Sequence, residues 1–510
     1  MYDVEQYDVI VIGGGITGLG TARDCALRGL KVLLVERDDI ASGASGRNHG
    51  LLHSGARYAV NDPESARECI RENKILKKIA PHCIEKTGGL FITLPEDEDE
   101  GYGLEYQKIF IDACKTSGID AEAIDPVDAL RMEPSVNPAL MGAVKVPDGA
   151  VDPFKLCSAN MYDALLHGTT ILPYTEVTSV IREGCSVTGI ETRNTHTGER
   201  ASYRASVTVN AAGIWGHGIA RMAGVKIEMC PTKGSLLIFA HRLNNVVINR
   251  CRKSSDGDIL VPGDTVSVIG TTSTGISYDE CDELNVTAEE VCTLMREGAR
   301  LCPSITHTRV LRAYAGVRPL IKSAEDATGR NISRGIVCLD HSERDGLEGF
   351  ITITGGKLMT YRLMAEIATD AVCRKLGVSV TCRTRLAMLS DPLVPRHSES
   401  ATDELICECE RVTFDDVKWA VNHLGVQNLE DLRRRTRLGM GTCQGTKCIA
   451  LAAKALARAK GNPEETRELV HRFVEERWKG MTSVGWGDNL REMEYMQKIW
   501  KGKYAETTEK

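Results

Sequence analysis

Residues 7–36 constrain the fold of this chain more than any other stretch. Tyr7-Asp8-Val9-Ile10-Val11-Ile12 is a β-branched apolar run suited to one strand buried on both faces. Gly13, Gly15 and Gly18 follow at G-x-G-x-x-G spacing and open a helical stretch, 16–28, which Gly29 closes. A second apolar strand, Val32–Val35, ends in Glu36. Each part has a physical task. Gly13 permits a tight turn, Gly15 leaves room for a pyrophosphate against the backbone, and Gly18 lets helix and strand pack closely. The helix N-terminus attracts phosphate through its N–H groups and macrodipole. Glu36 stands at the spacing at which a carboxylate accepts hydrogen bonds from an adenosine ribose. A glutamate there favours a free 2′-hydroxyl, so the segment predicts a dinucleotide, FAD or NAD rather than NADP.

With 510 residues the chain has room for roughly two to four domains. A net charge of −7 over that length gives no reason to expect nucleic acid as a partner. Met1-Tyr2-Asp3-Val4-Glu5 is acidic and runs straight into the first strand, so no signal peptide is expected. No apolar run approaches the ~18–20 residues that span a bilayer, so membrane association is expected to be peripheral or through a partner. The 18 cysteines are then expected as reduced thiols. Four are grouped, and the other 14 lie singly and read as small core hydrophobes.

A glycine- and serine-rich stretch, 41–58, begins a long insertion into the nucleotide-binding fold. His53, Arg57 and Tyr58 lie there beside small residues that permit close approach, which suits flavin contact and a catalytic wall. A helix is predicted over 63–80, a strand over 88–94, and a solvated acidic loop over 96–100. Another helix starts at 151–154, and strands follow at 170–172, 175–181 and 207–213, the last returning to the cofactor. Residues 231–321 read as mostly strands with a helix near 288–301, forming a substrate-binding domain. After strands at 335–339 and 350–354, Gly355-Gly356-Lys357-Leu358 opens a long helix to about 375, a second anion-attracting terminus. Residues 390–402 read as a linker.

Beyond it, Cys407-Glu408-Cys409 pairs with Cys443-Gln444-Gly445-Thr446-Lys447-Cys448, with helices around 414–424 and 429–436 between. Four thiolates on two tight loops hold either zinc or an iron–sulfur cluster; C-x-C with C-x4-C is unusual for zinc. A flavin module fused to a cluster has a mechanistic logic, since a two-electron donor reduces the flavin and the cluster takes electrons singly. Arg433, Arg434, Arg435 and Arg437 read as either a docking face or a solvated helix face.

The stretches IGGGITGLGTARDCALRG, VERDDIASGASGRNHGLLHSGARYAV, VNAAGIWG, KGSLLI, AYAGVRPL and ITITGGKLMTYRLMAE, with ICECERVT and RRRTRLGMGTCQGTKC, cover nearly the whole chain. They resemble the FAD-dependent anaerobic glycerol-3-phosphate dehydrogenases, specifically the large catalytic subunit. The resemblance implies an α/β fold: a glutathione-reductase-like FAD domain of the amino-acid-oxidase type with a mixed-sheet substrate domain, then a small helical [2Fe-2S] domain. That last module is similar to bacterioferritin-associated ferredoxin, which usually has C-x2-C as its second pair. The implied organisation is an oxidoreductase over 1–388, a linker over 389–404, the [2Fe-2S] domain over 405–460 and a helical tail over 461–510.

The same resemblance implies oxidation of sn-glycerol 3-phosphate to dihydroxyacetone phosphate. His53, Arg318 and Lys357 are the implied catalytic residues; His53, in the flavin-contacting loop, is the first candidate to take the hydroxyl proton, and an arginine or lysine pair that lowers the alcohol pKa without a formal base is the alternative. Arg57, Tyr58, Arg318 and Lys357 meet the substrate, the cations its phosphate. Gly13, Gly15, Gly18, Glu36, Arg37, Ser45, Val177, Ala212, Gly213, Gly355 and Gly356 hold FAD, and Cys407, Cys409, Cys443 and Cys448 the cluster. Electrons would reach quinone through partner flavin and iron–sulfur proteins, with FMN allowed on a partner, from a cytoplasmic chain held at the inner membrane by those partners. The nearest rival is a related FAD-dependent 2-hydroxy-acid or amine oxidoreductase.

Overall fold

The computed structural model describes residues 5–321, 335–393 and 404–503. The first strand, Gln6–Ile12, is the centre of a sheet because its apolar residues face helices on both sides. It pairs in parallel with Val32–Val35 on one edge and Arg200–Asn210 on the other. Thr170–Leu172 and Phe350–Gly355 extend this parallel core, and Ile336–Asp340 adds an antiparallel edge to Phe350–Gly355. The hairpin Thr175–Glu183 and Ser186–Asn194 completes the sheet, eight strands among the described residues. Helices Ile16–Leu27, Pro153–Leu166 and Tyr361–Leu376 cover one face and share a core with it.

A second, mixed sheet of nine strands among the described residues stands beside the first. Its longest pair, Met229–Phe239 with Val310–Ile321, runs antiparallel from Met229 opposite Ile321 to Phe239 opposite Val310. Helix Ala288–Leu301 backs it, started by a capping box between Thr287 and Glu290. The expected acidic loop at 96–100 is instead the short helix Pro95–Asp99. Its Asp97 is buried, accepts the Leu94 N–H at 2.8 Å and pairs with the buried Arg250. Alternation along the sequence could not separate that one carboxylate from its exposed neighbours.

The C-terminal helices are packed on the rest by one continuous core. Val417, Leu429, Leu432, Ile449 and Phe473 belong to the same apolar cluster as Val9 and Leu34. Helix Thr466–Met481 and helix Gly487–Lys503 send Met481 and Met493 into the core of the second sheet. Of the predicted linker, 394–403 lies outside the described residues, whereas Leu389 is buried and its N–H bonds to the Ile79 carbonyl at 2.8 Å. The arginine run is neither a docking face nor a solvated one. Arg435 and Arg434 reach Asp39 at 2.5 and 2.9 Å, and Arg437 reaches Asp152 and Glu410 at 2.7 Å each. Amphipathic spacing marks a helix face but not whether carboxylates elsewhere in the chain meet it. Among the singly placed cysteines, Cys185 and Cys292 are exposed rather than core.

Asp39 and Arg435 are each 1% exposed. Burial alone would raise the Asp39 pKa, but the charges of Arg435 and Arg434 outweigh it and hold the carboxyl below its ordinary value. Asp39→Asn leaves Arg435 buried and unpaired, so it should cost about 3–5 kcal/mol, read as a fall in the urea midpoint. The wild-type contribution is complete above the unfolded carboxylate pKa near ~4 and is lost as pH falls through the lower folded value.

Candidate active site

The C-terminal ends of the parallel strands and the second sheet enclose a cleft of about 1060 Å3. Ligands gather at this edge of an open α/β sheet because strand ends, tight turns and helix N-termini all present backbone N–H groups there.

At the nucleotide end, the first strand turns at Gly13 (φ +113°) into helix Ile16–Leu27. A Cβ on Gly18 would lie 1.9 Å from the Gly13 carbonyl oxygen, and one on Gly13 would lie 2.6 Å from that of Ala211. Both glycines are therefore imposed by close packing of turn on strand. Gly15 faces Ser45, whose Oγ accepts the Ile16 N–H at 2.9 Å. No acidic side chain stands in the first helical turn, so the positive helix end is open to an anion. Glu36 accepts the Gly14 N–H at 2.6 Å and the Asp38 N–H at 2.9 Å, and burial pushes its carboxyl up. Ala212 and Gly213 follow Ala211, whose N–H bonds to the Ile12 carbonyl at 2.9 Å. This cradle fits the pyrophosphate and adenosine of FAD. Arg37 sits outside the cleft wall, paired with Asp282 at 2.8 Å and stacked on Trp215. Val177 is buried in strand Thr175–Glu183, whose Thr175 N–H reaches the Glu36 carbonyl at 2.7 Å.

His53, Arg57, Tyr58, Arg318 and Lys357, separated by up to 304 positions in the chain (357 − 53), all line the one cleft with Ser45, Gly355 and Gly356. The loop bearing His53 is fixed from behind. The Asn73 amide donates to the Leu52 and His53 carbonyls at 3.3 and 3.0 Å, and Ser54 N–H donates to the buried Asp148 at 2.6 Å. The imidazole lies 5.6 Å from the Tyr58 ring, and Lys357 Nζ lies 4.6 Å from the same ring. Arg57 donates to Asp258 at 3.2 Å, while its Nη1 is buried with no hydrogen-bond partner. An orphaned cationic donor on a cleft wall fits an anionic group.

Arg318 stands on strand Val310–Ile321, opposite Thr232. Its guanidinium donates to the Thr272 carbonyl at 2.9 Å and to the Thr271 hydroxyl, which aims it into the cleft. A Cβ on Gly234 would lie 2.7 Å from Arg318 Nη2, so that glycine makes the space the guanidinium occupies.

Several residues of the cleft wall and of the layer behind it escaped the sequence reading. Asp258 joins Arg57 to Arg252, which it meets at 2.8 Å, and also accepts the Ser255 N–H at 2.6 Å. His49 and residues 271–273 line the same cleft. The basic run Arg250-Cys251-Arg252-Lys253, leading into Ser254-Ser255-Asp256-Gly257, was the available signal.

The expected helix start at Gly355 is corrected. Gly355 ends a strand and both glycines have positive φ, +84° and +67°. A helical turn begins only at Leu358, and the α-helix at Tyr361. Two left-handed residues cannot belong to an α-helix, so they form the turn that brings Lys357 to the cleft.

Cys407 ends strand Leu405–Cys407, and Cys448 precedes helix Ile449–Lys460. The Cys448 thiol meets those of Cys407 and Cys443, and Cys443 meets Cys409. Hydrogen bonds from Cys448 and from the Gly439 and Glu410 N–H groups pull the Cys407 thiol down to about 6. Cys448, with the Lys447 and Gly445 N–H groups, pulls Cys443 down to about 4. Sulfurs surrounded by N–H donors suit a thiolate-held cluster. A two-iron cluster takes two thiolates per iron, which four thiols supply.

Comparison with known proteins finds a family for each of the two modules. The family model for FAD dependent oxidoreductases matches residues 8–362, and the BFD-like [2Fe-2S] binding domain matches residues 405–458. The chain is 58% identical to a subunit of the anaerobic glycerol-3-phosphate dehydrogenase of Escherichia coli (strain K12), over 98% of this chain and 97% of that protein. It is 40% identical to the corresponding protein of Haloferax volcanii, over 94% and 88%. The glycerol-3-phosphate dehydrogenase of Bacillus halodurans, solved with FAD, shares the fold at a TM-score of 0.59 and 23% identity, covering 98% of this chain and 95% of that one. The glycine oxidase of Geobacillus kaustophilus does so at 0.59 and 22%, covering 77% and 99%. FAD and a [2Fe-2S] cluster are thus the cofactors of an α/β amino-acid-oxidase-type fold with a helical C-terminal module, and the chain belongs to the flavin-bearing branch of the anaerobic glycerol-3-phosphate dehydrogenase family.

Proposed function

We propose that the chain oxidises sn-glycerol 3-phosphate at C2 to dihydroxyacetone phosphate and passes the electrons through partner proteins to quinone. The observation that carries this reading is the convergence of the His53 imidazole and the cationic side chains of Arg57, Arg318 and Lys357 on a single cleft at the end of the nucleotide-binding strands. When bound, FAD accepts the C2 hydride and the [2Fe-2S] cluster takes electrons one at a time.

The chain's own residues do the rest. Arg57 and Arg318 offer planar forks that donate paired hydrogen bonds to phosphate oxygens, and Lys357 adds a point charge. Neutral His53 accepts the C2 hydroxyl proton as the hydride leaves. Tyr58, in contact with both His53 and Lys357, screens the reacting carbons from water. Lys357 and the helical turn starting at Leu358 supply positive potential at the cleft edge, where reduction adds negative charge. Gly13, Gly15, Gly18, Glu36, Arg37, Ser45, Val177, Ala212, Gly213, Gly355 and Gly356 make up the FAD-binding set, and Cys407, Cys409, Cys443 and Cys448 the cluster ligands. The relatives are named as one component of a larger dehydrogenase, which supports a heteromeric complex with flavin and iron–sulfur partners, FMN being allowed on one of them. Among the described residues no helix is long and apolar enough to cross a membrane, so these partners would dock the chain at the inner membrane.

Adding glycerol 3-phosphate anaerobically to the purified chain should bleach the visible flavin bands, whereas 2-hydroxyglutarate, glycine and proline should not. Unchanged flavin with glycerol 3-phosphate would sink the reading. Arg318→Ala should lower kcat/KM for flavin reduction at least tenfold, since a hydrogen bond to a charged group contributes ~1.5–3 kcal/mol.

A further inference from the structure

A second chamber, of about 660 Å3, lies behind the loop that carries Arg47, Asn48 and His49, and no step above uses it. Its wall includes Arg47 from that loop, Arg312 from strand Val310–Ile321 and Arg433 from helix Leu429–Thr436. Three distant parts of the chain thus bring like charges together.

Carboxylates do not neutralise them. Arg434 and Arg435 bind Asp39, and Arg437 binds Asp152 and Glu410. Of the acids that line the chamber, Glu476 pairs with Lys479 at 3.0 Å, and Glu430 lies 3.5 Å from Arg472 with both carboxylate oxygens buried and without a hydrogen-bond partner. Among the described residues, Arg47, Arg312 and Arg433 have no carboxylate partner within 4.0 Å. Nε of Arg312 and Nε of Arg433 are buried and have no hydrogen-bond partner. A buried unpaired donor on a cation is costly, and a fold that gathers two of them has left a place for an acceptor.

The packing around Arg312 has the same character. A Cβ on Gly480 would lie 2.7 Å from Arg312 Nε and 2.6 Å from the Ala313 carbonyl, so helix Thr466–Met481 crosses the strand closely enough to seal the chamber there. Burial and then mutual repulsion push the Arg433 guanidinium down, with Arg312 the largest neighbour contribution. Burial lowers Arg312 in the same direction, Glu476 opposes it, and Arg47 and Arg434 add smaller downward pushes.

We propose that this chamber binds a multivalent oxyanion of the phosphate type, free or as a small phosphate ester, held jointly by Arg47, Arg312 and Arg433. Guanidinium forks suit tetrahedral oxyanions, and the volume exceeds what a bare phosphate fills. Such a ligand would join the flavin loop, the second sheet and the C-terminal helices.

The test is thermal unfolding of the holoenzyme in potassium phosphate against potassium chloride of equal ionic strength, with ribose 5-phosphate as the ester. Phosphate or the ester should raise the Tm saturably, and whichever acts at the lower concentration identifies the form bound. Arg312→Gln and Arg433→Gln should each raise the half-saturating concentration at least tenfold, while Arg318→Gln, which removes a phosphate contact in the other cleft only, should keep a saturable rise in Tm. In chloride alone both chamber variants should be at least as stable as wild type, because one of three crowded charges is gone. Equal stabilisation by chloride would overturn the proposal, as would loss of the effect in Arg318→Gln or its persistence in both chamber variants. So would a chamber variant less stable than wild type in chloride, which would make the arginines structural. None of these outcomes touches the flavin-bleaching test.

Discussion

Gly18→Ala should give a chain that purifies without FAD and rebinds it at least a hundredfold more weakly than wild type, about 2.7 kcal/mol. The new methyl carbon would stand 1.9 Å from the Gly13 carbonyl oxygen, backbone against backbone, with no flexible side chain to give way. Relief requires helix Ile16–Leu27 to lift from the strand that precedes it. That helix is buried along Leu19, Ala22 and Cys25, so the shift opens the core as well as the turn. Overpacking by a methylene typically costs ~1–3 kcal/mol, and here the movement also withdraws the helix end that attracts the pyrophosphate. Fluorescence quenching of free FAD by the apoprotein measures the affinity directly. Wild-type affinity in the variant would show that the turn can relax without the helix.

His53→Gln should lower the rate of flavin reduction by glycerol 3-phosphate ~10²–10⁴-fold, the range for removing a general base. The phosphate contacts remain with Arg57, Arg318 and Lys357, so KM should change far less than kcat. Stopped-flow absorbance separates the chemical step from later electron transfer. A variant that keeps its rate would assign the proton to another group. Glutamine preserves much of the side-chain volume against Tyr58, so packing loss alone would not mimic this pattern.

What was legible in the sequence followed from local chemistry. The β-branched run at 7–12 and the glycine spacing that follows it specify strand, turn and helix within 30 residues, and the structure has all three. The helix Ala288–Leu301 is marked by its Thr287–Glu290 capping box and an apolar stripe. Gly355-Gly356 drew attention to the right place, but a glycine pair before a helical pattern does not say which residue first turns right-handed. The arginines at 433–437 and the acids at 96–100 failed for a different reason. Apart from Glu410, their partners Asp39, Asp152 and Arg250 lie more than 150 residues away, so no short window on the chain contains both halves of those pairs. Asp258 escaped in the same way, because its value lies in joining Arg57 to Arg252.

The arginine helix Leu429–Thr436 has one more consequence. Arg435 is clasped by Asp39, Arg437 by Asp152, and a single apolar core runs through both modules, so the cysteine module is packed against the flavin-binding fold. In the relay proposed above, electrons would leave across that packed junction, and a partner would meet the chain at its cysteine end.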